Sequence, residues 1–537
     1  MLIFYYITIL TSILGYGFLI NEKLIKYKTN NLGSIGLIGI FSLLLISYLA
    51  SQFVAHSKYF NLIVIILGIL FFIYFLFKKK IVIEDIKILF FLFLITIIFI
   101  MIYKNHDDFH YYHFPYTYIL TEYSQPIGIG LLNIGFNTHS SIFYIASLFH
   151  LPGSNYNLFH LPAAIFMFFS NIFFLNTIYK NSFVKKNLYI LFFLTSSFIF
   201  INIFFYRLAE HGTDRSAMIL ILIFIVQILI ILNRKFEKDD INQFKFLIIL
   251  SSLIISLKAI YILYLILFLP ILNKILKKKS FFKLFKSYSF YLSLILFLFV
   301  ILTNFFNSGC LLFPEKMTCI QNINWGFSID KIEDYRIHYE NWAKAGAGAG
   351  YTNDDKINYI KNFTWLPNWI DKYFFNKVSD LIFSLFFLAF FLLLVFFKKK
   401  RNTTNNRIKY KSVLIIVFLL LLIWFINYPT LRYGGYHLFF IIIFLPLSVF
   451  MQKYLENKKD MIKKISTMII ITFIIFFGRN IDRLIDENKK YAYNPLKNNK
   501  YRLLDNSFRY RNIIEKQLKS NPSKIKEVYK GRYLIKN

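Results

Sequence analysis

Long runs of apolar residues recur along the whole chain and are separated by short polar segments. About 20 consecutive apolar residues suffice for a helix to cross a bilayer, and a helix satisfies its own backbone polar groups in lipid. The pattern therefore predicts an all-α polytopic membrane protein with about 12–14 transmembrane helices. The predicted spans lie near residues 2–20, 32–54, 59–77, 86–103, 156–179, 187–206, 216–232, 244–257, 259–272, 287–305, 380–397, 412–427, 436–451 and 465–478.

The apolar stretch from Phe244 to Leu272 has an ambiguous length. Its 29 residues are too few for two full spans and lie between two basic segments. Because one crossing here would break the alternation of the loops, we expect two short helices that meet near Lys258. A single long helix, with an odd crossing elsewhere, is the alternative.

The pattern divides the chain into six segments. Membrane helices alternate with two long polar loops, and a basic tail follows the last apolar run. The expected segments are N-terminal transmembrane helices (1–103), a first large outer loop (104–155), central transmembrane helices (156–305), an outer loop domain (306–379), C-terminal transmembrane helices (380–478) and a small soluble basic tail (479–537).

Composition agrees with a membrane protein, because only 17% of the 537 residues are charged and 57% are hydrophobic. The net charge of +34 by itself suggests nucleic acid. However, lysine and arginine cluster in short linkers such as 78–80, 274–286 and 398–401. Such clusters mark the cytoplasmic side, so the charge orients the spans and we expect no nucleic-acid partner.

The two long loops are near neutral, and alternation of the helices places them on the outer side. All ten histidines, from His56 to His437, are expected on or next to that face. The tail from Arg479 carries sixteen Lys/Arg against six Asp/Glu, yet an even number of helices also places it outside. Alternatively, the last apolar run is interfacial and the tail is cytoplasmic.

The first outer loop opens with a dense group of ionisable residues. Asp107 and Asp108 are adjacent carboxylates at a membrane surface, where like charge and burial raise a pKa, so either is a candidate general base. A solvated helix cap is the alternative. His106, His110 and His113 are candidate substrate-binding residues and, at helical spacing, weak candidates for a divalent-metal site.

Other polar groups are expected on the same face. Two candidate binding residues, Asn137 and His139, lie in a stretch interrupted by glycines. Two more, His211 and Asp214, lie in the short turn 207–215, whose charges alternatively form a self-neutralising salt bridge. Cations at a membrane edge suit a phosphate. Candidates for this role are Lys258, Arg432 and the neighbouring Tyr433, with headgroup snorkelling as the alternative for Arg432.

The loop 306–379 holds the only two cysteines, Cys310 and Cys319, for which we predict a local disulfide in an oxidising compartment. It also carries four of the five tryptophans. These either stack on sugar rings or form an interfacial belt. They are Trp325, Trp342, Trp365 and Trp369.

Four short motifs carry a resemblance to a known class of enzymes. They are His-Asp-Asp-x-x-Tyr-Tyr-His at 106–113, Gly-Phe-Asn-Thr-His-Ser-Ser at 135–141, Ser-Gly-Cys-Leu-Leu-Phe-Pro at 308–314 and Arg-Asn-Ile-Asp-Arg at 479–483. With the multi-span pattern and the carboxylate pair after a helix, the chain resembles the GT-C superfamily of integral membrane glycosyltransferases. More closely, it is similar to an uncharacterised bacterial membrane-protein family of that architecture.

The resemblance implies an inverting glycosyltransferase in the bacterial inner membrane, with its active face in the periplasm. The donor would be a polyprenyl-phosphate-linked sugar, and the acceptor an envelope glycan or lipid. Asp107 or Asp108 would deprotonate the acceptor hydroxyl, while Lys258 or Arg432 would hold the leaving phosphate. The resemblance indicates no definite cofactor, and a divalent cation remains open. The alternatives are a transporter or flippase of lipid-linked saccharides and an O-antigen-type polymerase or ligase.

Overall fold

The computed structural model describes residues 1–78, 83–102, 104–182, 188–210, 212–233, 240–276, 281–348, 355–397, 410–452, 458–497, 503, 505–520, 525–529 and 532–536. Helices dominate these ranges, and each predicted span coincides with helical structure. The helices of the membrane bundle are α1 (Leu2–Ile20), α2 (Leu32–Ser51), α3 (Lys58–Phe77), α4 (Ile83–Ile100), α7 (Leu161–Ser182), α8 (Leu188–Phe204), α9 (Thr213–Asn233), α10 (Asp240–Leu257), α11 (Leu269–Leu276), α13 (Tyr288–Ser308), α17 (Ser379–Phe396), α18 (Lys411–Asn427), α19 (Gly435–Met451) and α20 (Lys458–Tyr491).

Shorter elements lie between and after these helices. The loops contain α5 (Phe114–Glu122), α6 (Ser141–Leu148), α12 (Phe281–Phe285), α14 (Ile329–Lys344), α15 (Lys356–Ile360) and α16 (Leu366–Trp369). The C-terminal region adds α21 (Asp505–Ser520) and an antiparallel hairpin of β1 (Ile525–Tyr529) and β2 (Arg532–Ile535). The expectation of an all-α chain therefore needs one small correction at the C-terminus.

Eight helices in the described part are long and apolar enough to cross a membrane. They are Leu2–Ile25, Leu32–Ser51, Lys58–Phe77, Leu161–Lys180, Thr213–Asn233, Tyr288–Ser308, Leu366–Phe396 and Asp460–Tyr491. Five further apolar helices are shorter, so the count of 12–14 spans stays a prediction. The chain is a polytopic helical protein.

The bundle has a buried centre and an apolar outer surface. The span windows of α7 and α9 are 94% buried, whereas that of α3 is 28% buried. On α17, Phe383 and Phe387 are 72% and 73% exposed, as expected of side chains that face lipid. Small residues bring the helices together: a Cβ added to Gly15 of α1 would lie 1.9 Å from the carbonyl oxygen of Gly68 on α3.

The predicted break near Lys258 is present. The helix α10 ends at Leu257, and Lys258 has an extended backbone with φ −155° and ψ 117°. A 3₁₀ helix, Ala259–Phe268, follows instead of an α-helix, and α11 continues from it. Because the chain is not α-helical at Lys258, this side chain does not follow the line of α10. Its ammonium group contacts residues of other segments.

The helix α20 extends past the predicted boundary at residue 478 and continues without interruption to Tyr491. Its extension contacts the last turn of α8 and the segment that follows. Arg479 donates to the carbonyl oxygen of Ile203 (2.9 Å) and lies over the ring of Tyr206 (3.5 Å to the centroid). Arg483 contacts the carbonyl of Tyr206 and the carboxylate of Glu210. The motif 479–483 is thus an anchor within the fold.

Two described parts of the tail, α21 and the hairpin, pack on the first long loop. In α21, Ser507 hydrogen-bonds His110 and Phe508 contacts Phe114. The hairpin strand β2 pairs with Ile127, whose N–H donates to Tyr533 and whose carbonyl accepts from Ile535, both at 2.9 Å. The tail therefore lies on the same side of the bundle as the loop 104–155.

Candidate functional site

Four segments distant in sequence meet in a cluster of alternating charges. Asp108 comes from the first long loop, Asp214 from the first turn of α9, Lys258 from the break after α10, and Arg432 from a 3₁₀ turn, Leu431–Tyr433, between α18 and α19. We call Asp108, Asp214, Lys258 and Arg432 the charge cluster. It is assembled at the end of the bundle that carries the long loops.

Asp214 is the centre of this cluster. Its carboxylate accepts from Lys258 Nζ at 2.5 Å on one oxygen and from Arg432 Nε at 3.2 Å on the other. Arg432 Nη2 also lies 3.3 Å from Asp108 Oδ2. Two carboxylates thus balance two cations. The side chain of Asp214 is 7% exposed, and such burial is favourable only when the charge is paired.

Aromatic rings flank the two cations. Lys258 Nζ lies 4.9 Å from the ring centroid of Tyr433, and the Arg432 guanidinium lies 5.7 Å from the same ring and 5.8 Å from that of Trp342. Burial opposes the charge on Arg432, but Asp214, Tyr433 and their neighbours hold the pKa of the guanidinium well above its usual value. Arg432 therefore stays charged, and two of its five N–H donors serve the two carboxylates.

The two adjacent carboxylates have different surroundings. Asp108 is half-buried and joins the charge cluster, and its Oδ2 is also 3.7 Å from His106 Nδ1. Asp107 is exposed. Of the two adjacent carboxylates, Asp108 is therefore the one that contacts a cation of the charge cluster.

The three histidines of this loop do not converge on one point. His106 precedes the helical segment and is exposed, His110 bonds to Ser507, and the ring of His113 lies 4.9 Å from that of Phe143. The segment Phe109–His113 is a π-helix, whose wider turn changes the faces that an α-helical spacing would give. Within the described ranges, no group of three metal-ligating side chains is found.

A cavity of about 810 Å³ opens beside the charge cluster. Lys258 and Tyr433 line it, together with the predicted binding residues Asn137 and His139. Part of the lining is apolar and comes from the 3₁₀ segment 259–264, in which Leu263 is 43% exposed, and from α18. The polar part of the lining, which we call the polar rim, includes Arg336 and Glu340 of α14. The cavity is thus amphipathic.

Three buried polar atoms without a hydrogen-bond partner among the described residues belong to residues that line this cavity. They are Asn137 Oδ1, His139 Nδ1 and Tyr261 Oη, and their residues are 3%, 7% and 1% exposed. His139 Nε2 is 2.6 Å from the hydroxyl of Tyr48, and burial lowers the pKa of His139 to about 3. Because unpaired buried polar atoms are costly, these three atoms suit a ligand with hydrogen-bonding groups.

The glycines of the same loop approach the protein itself. Gly128 has φ +80°, and a Cβ there would lie 2.3 Å from the carbonyl oxygen of Ile535 in β2. A Cβ on Gly130 would lie 1.9 Å from Asn137 Oδ1. We therefore assign these two glycines to close approach of the backbone to the tail and to the loop itself.

The turn 207–215 contains both the local ion pair and the binding candidate that its sequence suggested. Arg207 and Glu210 form the self-neutralising pair, at 3.0 Å. Asp214 instead pairs outside the turn, in the charge cluster. His211, also a candidate, lies outside the described residues.

In the second long loop, Cys310 and Cys319 are joined by a disulfide. Trp365 and Trp369 are buried, at 1% and 4% exposure, so they are core side chains and are not available to a sugar. Trp342 was one of four equivalent candidates by sequence, and its contact with Arg432 distinguishes it.

Sequence reasoning missed the polar rim of the cavity. On α14, Arg336 bonds Glu333 (2.7 Å) and Glu340 (3.1 Å), and Glu340 bonds Lys344 (2.6 Å). The i, i+3 and i, i+4 spacing of these charges is a helical signal that was available in the sequence. It indicates a charged helix face, but nothing in the spacing indicates which cavity that face borders.

The fold and the charge cluster define a multi-pass helical membrane protein with a buried ionic centre at the end that bears its long loops. The chain belongs to the family described as "Domain of unknown function (DUF8201)", which matches residues 1–440 and so includes all four residues of the charge cluster. No curated protein and no solved structure matches the chain.

Proposed function

We propose that this chain is a GT-C-like membrane glycosyltransferase that moves a sugar from a polyprenyl-phosphate-linked donor to an envelope glycan or lipid acceptor at the outer leaflet. The observation that carries the proposal is the amphipathic cavity beside the charge cluster. An apolar wall suits a lipid chain, cations suit a phosphate, and the unpaired atoms of Asn137 and His139 suit sugar hydroxyls.

In this proposal, Asp108 is the general base. The acceptor hydroxyl gives its proton to the Asp108 carboxylate, and its oxygen forms the new bond to the anomeric carbon. The bond between that carbon and the phosphate oxygen breaks, and the phosphate leaves with the electron pair. Lys258 and Arg432 would hold the leaving phosphate, because both cations lie within one cluster with the base.

The charge balance of the cluster supports this assignment of roles. Without a ligand, Asp108 and Asp214 neutralise the two cations. An arriving phosphate would compete with Asp108 for Arg432, since the contact at 3.3 Å is the longest of the three ion pairs and Asp108 is more exposed than Asp214 (27% against 7%). In that exchange the phosphate takes the place of Asp108 at Arg432, and Asp108 takes the proton of the acceptor hydroxyl.

The test compares Asp108→Asn with Asp107→Asn in purified protein reconstituted with a polyprenyl-phosphate-linked radiolabelled sugar. Loss of a general base typically costs about 10²–10⁴-fold in rate. We expect a loss of this size for Asp108→Asn and near wild-type release of polyprenyl phosphate for Asp107→Asn. Asp107 is the matched control because it is adjacent and exposed. Full activity of Asp108→Asn would refute the assignment.

A transporter or flippase of lipid-linked saccharides is the second candidate, because an amphipathic cavity also suits transport of a lipid-linked sugar. It predicts movement of intact lipid-linked sugar between leaflets of proteoliposomes without cleavage of the sugar–phosphate bond. A polymerase or ligase would instead cleave that bond and yield a longer glycan. The same labelled donor, followed for cleavage, product length and leaflet, distinguishes the three activities.

A further inference from the structure

A second polar cavity, of about 840 Å³, lies at the other end of the bundle. The C-terminal end of α2 is at the long loops, because the carbonyl of Ser51 accepts from Gln125 N–H. The cavity is formed by the N-terminal end of α2, the segment 21–31 before it, and the C-terminal ends of α7 and α9. It is therefore separate from the charge cluster and plays no part in the proposed transfer.

The mouth of this cavity is basic. Among the described residues that line it, Lys26, Lys28 and Lys180 are basic and Glu22 is acidic. Glu22 forms an ion pair with Lys78 at 3.4 Å, and Asp85 lies close enough to Lys180 to interact with its charge. The described lining thus carries more basic than acidic side chains, which favours an anionic group.

The inner end is uncharged but has unsatisfied polar atoms. Ser34 and Gln227, which are 0% and 4% exposed, line it, and their atoms Oγ and Oε1 are buried without a hydrogen-bond partner among the described residues. Apolar side chains, including Phe173 and Ile230, surround them. A buried amide oxygen without a donor is costly, so a ligand hydroxyl at this point would satisfy it.

The walls of the cavity are held in place by the protein. Asn21 bonds the backbone N–H and C=O of Tyr27, both at 3.0 Å, and the Tyr27 hydroxyl donates to Gln243 at 3.2 Å. Asn31 caps α2 and donates to the Phe173 carbonyl at 3.1 Å. Because these bonds fix the segment 21–31 without a ligand, little ordering would be needed on binding.

We infer that this cavity binds a phosphate ester that carries a free hydroxyl, with the phosphate at the lysines and the hydroxyl at Gln227. A glycerophosphate group has this chemistry. It is found both in phospholipid headgroups of the leaflet on that side and in soluble esters.

The experiment uses the full chain in neutral detergent and calorimetric titration with three probes: dihexanoyl phosphatidylglycerol, glycerol 3-phosphate and inorganic phosphate. We expect a double variant, Lys26→Gln with Lys28→Gln, to weaken phosphate-ester binding about tenfold. Lys23→Gln is the matched control, because Lys23 is exposed in the same segment but does not line the cavity. It should bind as the wild type does.

Gln227→Leu separates the two halves of the proposal. It removes an unpaired buried amide oxygen, so folding should be unimpaired, whereas binding of the glycerol-bearing probes should fall about tenfold and that of inorganic phosphate should not change. Binding of the lipid probe alone would identify a headgroup, and binding of glycerol 3-phosphate a soluble ester. The proposal is overturned if neither ester binds. It is also overturned if the Gln227→Leu variant binds both esters as tightly as the Lys23→Gln variant does.

Discussion

Asp214→Asn should destabilise the protein by about 3 kcal/mol, because it leaves two cations to share one carboxylate. Removing one partner of a buried pair costs about 3–5 kcal/mol. We expect the lower end, since the side chains of Lys258 and Arg432 are 21% and 31% exposed and Asp108 remains close to Arg432. A loss of 3 kcal/mol lowers the equilibrium constant for folding more than a hundredfold.

The measurement is the free energy of unfolding in mixed micelles. Glu333→Gln is the control, because Glu333 bonds Arg336 at 2.7 Å but is 28% exposed at the protein surface, where a pair contributes about 1 kcal/mol or less. Adding Lys258→Met to Asp214→Asn should recover at least about 1 kcal/mol relative to the sum of the single changes, because the pair is coupled. A loss below 1 kcal/mol for Asp214→Asn would refute a buried ionic centre.

Two further predictions concern pH and the tail. Burial lowers the pKa of His139 to about 3, so this neutral side chain contributes stability that is complete above pH 6.5 and is lost as pH falls toward 3. Between pH 6 and 4.5, unfolding free energy should fall more steeply in the wild type than in His139→Asn, by up to about 1.4 kcal/mol per pH unit; equal slopes would contradict this. Arg483→Gln removes the contacts to Glu210 and Tyr206, so trypsin should cleave the tail faster in this variant than in Lys489→Gln. Lys489→Gln is the control because Lys489 is exposed. Equal cleavage rates would show that this anchor is dispensable.

Much of the fold follows from the apolar pattern, because a bilayer demands long apolar helices and leaves few alternatives. The break at Lys258 was also predictable, since the apolar stretch around it has the wrong length for one or for two full spans. The position at which α20 ends was not predictable from the sequence. Arg479 and Arg483 look like the start of a solvated tail, and only their contacts with the segment 203–210 explain why the helix continues.

The candidate site was predictable as a set of residues but not as an arrangement. Charged groups beside apolar runs are costly, so Asp108, Asp214, Lys258 and Arg432 were candidates by sequence. Their pairing joins residues up to 324 positions apart, which no local spacing encodes. The histidines at 106, 110 and 113 show the same limit, because their spacing was interpreted as one face of an α-helix, whereas Phe109–His113 is a π-helix and His110 bonds Ser507 of the tail.

The sequence by itself determined that this protein is a helical membrane protein. It also identified the polar residues whose position at the membrane edge needs an explanation. Both follow because the free energy of moving charge and backbone into lipid is large and depends on the local sequence. The tertiary structure decided that Asp108 rather than Asp107 joins the cations, that the tail packs on the first long loop, and that a second polar cavity exists at the opposite end. These features depend on contacts between distant segments, whose energies are individually small and take effect only when the whole bundle brings the segments together.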